Sequence, residues 1–348
     1  MKVAVTGSSG LIGTALTASL RADGHQVVRL VRRPPRGNDE VRWDPRAADA
    51  GQAAFWRGGL GGSSPRGSSA LDGVDACVHL AGAGVGDQRW TKAYKAEIRA
   101  SRVLATRALA TALAAAKPAP AVFVAASAIG WYGDTEGREV TEDTPAGKGA
   151  VASGGRPPQT PPGKGFLARV VHDWEAAAEP ASRAGIRVVH PRSGLVLSAG
   201  GGVLARLAAP ARKGVLPRFG DGSQVMSWIA LTDEIRALRF LLDGAGAEGR
   251  SGPFNLTAPN AVTDAELTAA LHAAFGKPDL RLLRVPEFAL RLALGEMSSE
   301  LLNSARVRPA RLLEAGFEFE YPTVGAALAA ELGAGGQGVS RGRSGWKS

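Results

Sequence analysis

The sequence predicts an α/β fold, a doubly wound parallel sheet with a smaller C-terminal α+β lobe, and three observations lead to it. The chain opens on a short apolar strand, Val3 to Val5, followed at once by three evenly spaced glycines in Thr6-Gly7-Ser-Ser-Gly10-Leu-Ile-Gly13. Apolar runs of strand length then alternate with helical patterns as far as Pro191. From Gly200 onward glycines and prolines become denser and the alternation gives way to a mixed pattern.

Leu11 to Leu20 reads as a helix, so the glycines lie in the turn between a buried strand and a helix N-terminus. That is the arrangement that binds a dinucleotide, in a Rossmann-type domain. The first glycine permits the tight turn, the second lets a pyrophosphate approach the backbone, and the third lets helix pack on strand. The phosphates then meet free N–H groups at the helix start. Gly7, Ser9, Gly10, Leu11, Ile12 and Gly13 are the expected contacts. A P-loop nucleotidase is excluded, since no Gly-Lys-Ser/Thr follows the glycines.

Gln26 to Val31 is the second strand and ends in Arg32-Arg33. An acid at this strand end takes the ribose 2′-hydroxyl, whereas arginine accommodates a 2′-phosphate. No acid stands between Val31 and Asp39, so Val31, Arg32 and Arg33 favour NADP over NAD. Residues 36–51 read as polar and irregular. Asp75 to Gly82 is the next strand, and Leu80, Ala81 and Gly82 at its end are small enough for a ribose or flat ring to lie on the backbone. His79 reads as a packed strand residue, because no second histidine stands at metal-ligand spacing.

Trp90 to Ala116 is a long helix beside the cofactor. Glu97 near its start is placed to bind a ribose or amide group and Arg102 to approach a phosphate, although a solvated helix face explains either equally well. Ala121 to Ser127 is a buried strand, and residues at such strand ends face the ligand crevice. Ser127 and Tyr132 therefore stand where chemistry occurs: Ser127 to orient a carbonyl, Tyr132 to give a proton or merely to pack with Trp131 over the cofactor. A helix runs from Phe166 toward Ala181 and a strand from Ile186 to Pro191, after which the Arg192–Val196 turn covers the nicotinamide through Val196. Beyond it come a strand at Val225–Ile229, a helix at Thr232–Leu242, a strand at Pro253–Thr257 and a helix at Asp264–Phe275 capped by Thr263. Residues 1–192 make the dinucleotide-binding domain, with elements near 225–258 returning to it. Residues 193–332 make the smaller lobe facing the substrate, and 333–348 a disordered tail.

Bulk composition narrows the function. The 348 residues carry 42 basic and 32 acidic side chains, but eight of the ten net positive charges fall in 52–70, 147–165 and 333–348, which contain no acid. All three are rich in Gly, Ser or Pro and read as solvated loops and a tail, not as a nucleic-acid surface. No apolar run approaches the roughly 20 residues of a membrane span. One cysteine, Cys77, excludes an intramolecular disulfide and suits the cytoplasm. No nucleic-acid or membrane partner is expected. The partner is a small molecule of unknown identity, and the protein is a monomer or homodimer.

These residues resemble the extended short-chain dehydrogenase/reductase superfamily, and more narrowly its atypical, epimerase-family branch, often described as cell-division-inhibitor-like. The matching pieces are Thr6–Gly13, His79–Gly82, Arg89-Trp90, Ser101-Arg102, Ser127–Gly133, Phe166-Leu-Ala, Trp174-Glu175-Ala, Arg192–Leu197, Ser227–Ile229 with Asp233, Asn255–Asn260, and Pro309 with Gly316–Phe319. The resemblance implies an NADP-binding fold and an oxidoreductase or epimerase activity without an established substrate. The branch often has histidine where Ala230 stands. The wider superfamily uses a Tyr-x-x-x-Lys pair, in which tyrosine exchanges the proton and lysine lowers its pKa. The matching helix here reads Phe166-Leu-Ala-Arg-Val170, and the three tyrosines, Tyr94, Tyr132 and Tyr321, are followed four positions on by Ile98, Glu136 and Gly325. The pair is absent. Either Tyr132 is a non-standard acid, or the protein is a non-catalytic NADPH-binding sensor.

Overall fold

The computed structural model describes residues 1–46, 71–145, 165–243, 250–276 and 281–334. The acid-free stretches 52–70 and 147–164 and the tail from 335 lie outside them. The first half runs β1 (Lys2–Thr6), α1 (Leu11–Ala22), β2 (Gln26–Val31), β3 (Glu40–Arg42), β4 (Ala76–His79), α2 (Lys92–Ala115), β5 (Val122–Ala125), β6 (Ser127–Ala128), β7 (Glu139–Val140), α3 (Phe166–Ala176), α4 (Glu179–Arg183) and β8 (Arg187–Ser193). The second half runs β9 (Leu195–Leu197), α5 (Gly202–Arg212), β10 (Val215–Phe219), β11 (Val225–Met226), β12 (Trp228–Ala230), α6 (Leu231–Leu242), β13 (Gly252–Leu256), β14 (Val262–Thr263), α7 (Asp264–Phe275), β15 (Arg281–Val285), α8 (Glu287–Leu294), α9 (Ser298–Leu302), β16 (Arg306–Val307), α10 (Ala310–Glu314) and α11 (Val324–Ala334).

The central sheet is parallel, in the order β13-β8-β5-β4-β1-β2-β3, with β6 continuing β5 alongside β8. Alternation along each strand divides the core into two layers. Ala4, Val28, Leu30, Cys77 and Phe123 face Leu109 and Leu113 of α2. Val3, Val5, Val78, Val124 and Val189 face Leu16 and Leu20 of α1 and Leu238 and Leu241 of α6. Helices thus cover both faces, as a doubly wound sheet requires. A third core, built on Leu204, Leu216, Trp228 and Leu271, belongs to the C-terminal lobe. No helix among the described residues is long and apolar enough to cross a membrane.

Three elements differ from the sequence reading. The stretch read as irregular contains β3, which pairs with β2 and buries Val41 and Trp43. The helix from Phe166 breaks at Ala177-Ala178, because Pro180 lacks the N–H that would continue it and instead begins α4. The strand expected at Val225–Ile229 divides at Ser227: β11 pairs antiparallel with β14, and β12 parallel with β9. The Ser227 hydroxyl holds the division by donating to Ala305 O and accepting from Val307 N–H. The Thr263 cap is present as a reciprocal capping box with Glu266.

Candidate functional site

The glycine turn is built as a phosphate cradle. Gly7 sits at φ +68°, and a Cβ there would stand 2.7 Å from the Leu80 carbonyl carbon. A Cβ on Gly13 would stand 2.2 Å from Gly7 O, so only glycine lets α1 close on the turn. Gly10 caps the helix and donates its N–H to Gly7 O, and the first-turn N–H groups of Leu11, Ile12 and Gly13 have no intrahelical acceptor. Ser9 is exposed at the turn, and Leu11 and Ile12 are half-buried. Thr6 Oγ1 accepts from Leu80 N–H at 3.1 Å and Ala81 N–H at 3.2 Å. Its own proton therefore goes to His79 Nδ1, 2.7 Å away. Burial pushes the His79 imidazole down to about 3, so it stays neutral and ties the turn to the end of β4. Leu80 and Ala81 thus lie beside Gly7, at the carboxyl edge of the sheet, with Gly82 following them.

At the end of β2 the two arginines part. Arg33 forks onto Glu40 at 2.7 and 2.6 Å. Glu40 is buried at the sheet edge and also meets Arg29 Nη2 and Arg36 N–H, each at 2.7 Å. The Arg33 fork, with Arg36 and Arg29, holds its carboxyl at about 2. Arg33 is therefore no open phosphate ligand, which corrects the sequence reading. Arg32, next to the half-buried Val31, is exposed.

Glu97 and Arg102 each have a partner within the chain. Glu97 is ion-paired with Arg46 at 2.6 Å. Arg102 is half-buried beside the 82–84 loop, donates to Ala83 O at 2.9 Å and Ile98 O at 3.1 Å, and lies over the Trp174 ring. It is a strut for that loop: a Cβ on Gly82 would come within 3.2 Å of its guanidinium.

The largest correction concerns Tyr132. A short 3₁₀ turn, Ile129–Trp131, carries the chain back after β6 and turns Tyr132 into the interior, where it is fully buried. Its O–H donates to Asn255 Oδ1 at 2.7 Å and accepts from Arg192 Nη1 at 3.0 Å. Burial pushes the phenol up to about 12. A group so enclosed has no path to a substrate oxygen. Ser127 is buried in the same network and donates to Glu175 Oε1 at 2.5 Å. Glu175 and Arg192 form a two-point ion pair at 2.8 and 2.9 Å, with the guanidinium 3.9 Å from the centre of the Trp131 ring. Removing only the hydroxyl in Tyr132→Phe strands Asn255 Oδ1 and should cost about 1–3 kcal/mol of stability. Cofactor affinity should be unchanged. Urea unfolding and calorimetry check the two halves, and a lost cofactor affinity with intact stability would return Tyr132 to the crevice.

At the start of α3, Phe166 packs edge-on against Trp90, with Lys95 Nζ 4.7 Å from its ring centre. The pair packed on the 129–131 turn is one position further on: Leu167 and Val171 lie against Gly130. In either register no tyrosine or lysine is present. Across the sheet end, Ser193 donates to Glu234 Oε1 at 2.6 Å. Glu234 is fully buried in the first turn of α6, and its Oε2 has no hydrogen-bond partner among the described residues. Val196 is half-buried on β9, shortly after Ser193 in the chain. Glu175, Arg192, Asn255 and Glu234 are the polar residues the sequence reading did not assign. The first three stood in motifs it quoted, whereas nothing local marked Glu234.

A parallel sheet with a glycine cradle at its carboxyl edge and an open arginine after β2 is the arrangement of a dinucleotide-binding, Rossmann-type fold. The NAD-dependent epimerase/dehydratase family model matches residues 3–256, and a domain of unknown function, DUF1731, matches 285–331. The chain belongs to that family, within the atypical extended branch of the short-chain dehydrogenases/reductases. An epimerase family protein of Mycobacterium bovis is 42% identical over 94% of this chain and 96% of its own. Human epimerase family protein SDR39U1, solved with NADPH, superposes with a TM-score of 0.77 at 30% identity, covering 96% of this chain and 99% of that one. A nucleoside-diphosphate sugar epimerase from Corynebacterium glutamicum gives 0.69 at 35% identity, covering 96% and 58%.

Proposed function

We propose that the protein binds NADP(H) and works as an oxidoreductase or epimerase on a small carbonyl or hydroxyl compound. The observation that carries the reading is the division of labour after β2: Glu40 occupies Arg33 and leaves Arg32 exposed for a 2′-phosphate. The human relative solved with NADPH supports the same choice. The residues fit the cofactor, since glycine at 7 and 13 lets the turn pack directly on Leu80 and on α1, which leaves the first-turn N–H groups of α1 for a pyrophosphate. Residues Gly7 to Gly13 hold the phosphates. Leu80, Ala81 and Gly82 lie along the ribose, and Val196 covers the nicotinamide. When bound, the cofactor supplies or accepts hydride. Ser127 acts through Glu175 to fix the end of β6 and touches no substrate. With Tyr132 enclosed, the proton comes from water or from the substrate's own groups.

A charge-assisted contact to the 2′-phosphate is worth about 1.5–3 kcal/mol. Arg32→Ser should therefore weaken NADPH by roughly ten- to a hundred-fold and leave NADH nearly unchanged. Calorimetry giving equal wild-type affinities for the two cofactors would overturn the assignment.

A second reading, an NADPH-binding sensor without turnover, is favoured by the enclosed Tyr132 and by Leu167 and Val171 at the turn. Stopped-flow NADPH oxidation against a panel of aldehydes and ketones separates the two: turnover of any member supports the enzyme, and tight binding without turnover supports the sensor.

A further inference from the structure

Ser127 and Tyr132, at the end of β6, are turned inward: Ser127 donates to Glu175, and Tyr132 is enclosed by Arg192 and Asn255. Across the same edge of the sheet, Trp90 Nε1 donates to Val85 O at 2.9 Å and the Tyr94 O–H to Gly84 O, so both polar tips are spent on the loop after β4. What remains between these strand ends is apolar. Trp90, Tyr94, Ile98 and Val170 form a small buried core of their own. Val85, Phe166, Leu167 and Met297 pack on it, and each is only half-buried. They converge from three sides: the loop after β4, the start of α3, and the segment between α8 and α9 of the C-terminal lobe. Leu167 also lies against Gly130, in the turn after β6. The cations at this mouth are occupied. Lys95 lies over the Phe166 ring and meets both Glu296 oxygens at 2.8 Å. Arg206 donates to Gly86 O at 3.0 Å and meets Asp87 at 3.3 Å, and Arg89 reaches Leu292 O at 3.5 Å.

We propose that this mouth is the substrate crevice and that it takes an apolar carbonyl compound or alcohol, with an alkyl or aromatic body, and not a sugar nucleotide. The inference rests on the oxidoreductase reading above and adds the class of compound. The place is the one where ligands of a parallel sheet bind, outside the carboxyl ends of the strands. The chemistry of the walls selects the ligand. Each half-buried side chain keeps part of an apolar face toward water, and a hydrocarbon body covers those faces. A sugar nucleotide asks for unspent cations to hold its diphosphate and for polar groups to meet its hydroxyls. Here Lys95, Arg206, Trp90 and Tyr94 already have partners within the chain.

Calorimetric titration of the full chain with 1-butanol, 1-hexanol and 1-octanol tests the proposal, once on the protein alone and once on the protein saturated with NADPH. NADPH cannot accept hydride, so the alcohols bind without turnover. Affinity should rise by about four-fold for each added methylene, the worth of burying one CH₂. UDP-glucose should bind about ten-fold more weakly than 1-octanol, or worse. Val85→Ser and Met297→Ser should each weaken 1-octanol by about ten-fold and change 1-butanol little, with circular dichroism and NADPH affinity as in the wild type. An affinity that does not rise with chain length overturns the proposal, and so does UDP-glucose binding more tightly than 1-octanol. A series unchanged in both variants places the alcohols elsewhere and overturns it equally. If NADPH fails to bind while the series holds in the protein alone, the cofactor reading falls and the apolar crevice stands.

Discussion

Replacing Arg192 by methionine is expected to cost about 3–5 kcal/mol, the loss typical of a buried ion pair left with one partner. The side chain is 2% exposed and fills three roles at once. It forks onto Glu175, donates to the Tyr132 hydroxyl and lies beneath the Trp131 ring. Without it, Glu175 is a largely buried carboxylate with Ser127 as its remaining side-chain donor. Arg192→Lys should lose less but not recover fully, since an ammonium cannot make the two-point fork. Glu175→Gln/Arg192→Met should recover part of the loss by removing the stranded charge. Urea unfolding of the four proteins checks the series. A methionine variant within 1 kcal/mol of wild type, on the order of a surface substitution, would show that the network is ornamental to stability.

Glu234 should give the protein an unusual pH dependence. Burial raises its carboxyl from 4.5 to about 7, and no cation offsets that burial; the one other influence is the Ser193 hydrogen bond. A carboxyl raised in the folded state is favourable while protonated. Its stability is fully present below the unfolded value and is lost as pH rises from about 4.5 to about 7. The loss from this group alone is about 3 kcal/mol. Glu234→Gln keeps the shape and cannot ionise, so its stability should change less between pH 5 and pH 8. The difference between the two unfolding profiles isolates Glu234 from every other titrating group. Parallel profiles would mean that the carboxyl is ionised and hydrated in the folded protein.

What was legible in the sequence was local. The glycine turn is written in thirteen consecutive residues, and its geometry follows from steric limits at Gly7 and Gly13. The helix cap at Thr263 is written in four. What was illegible depends on partners distant in the chain or on the direction in which a turn sends a side chain. The Arg32-Arg33 pair was visible, but Glu40, which takes one of the two, reaches it across the β2–β3 pairing. The position of Tyr132 after a strand end was visible. Its inward turn was not, because its partners Arg192 and Asn255 are 60 and 123 residues away. The β10–β15 pair joins residues 66 positions apart in parallel, and no periodicity announces it.

The place of β13 at the sheet edge bears on how the chain is made. β13 lies beside β8 in parallel register, yet it is reached only after the chain has passed through β9 to β12 and α6. A ribosome therefore releases the nucleotide turn first and the outermost strand of the same sheet last. Until residues 252–256 emerge, β8 presents an unpaired edge, the surface on which nascent strands stick to wrong neighbours. Nascent chains arrested before Gly252 should therefore engage chaperones, and those arrested beyond the C-terminal lobe should not. The cradle on β1 thus waits until Leu256 has been made for its sheet to be complete.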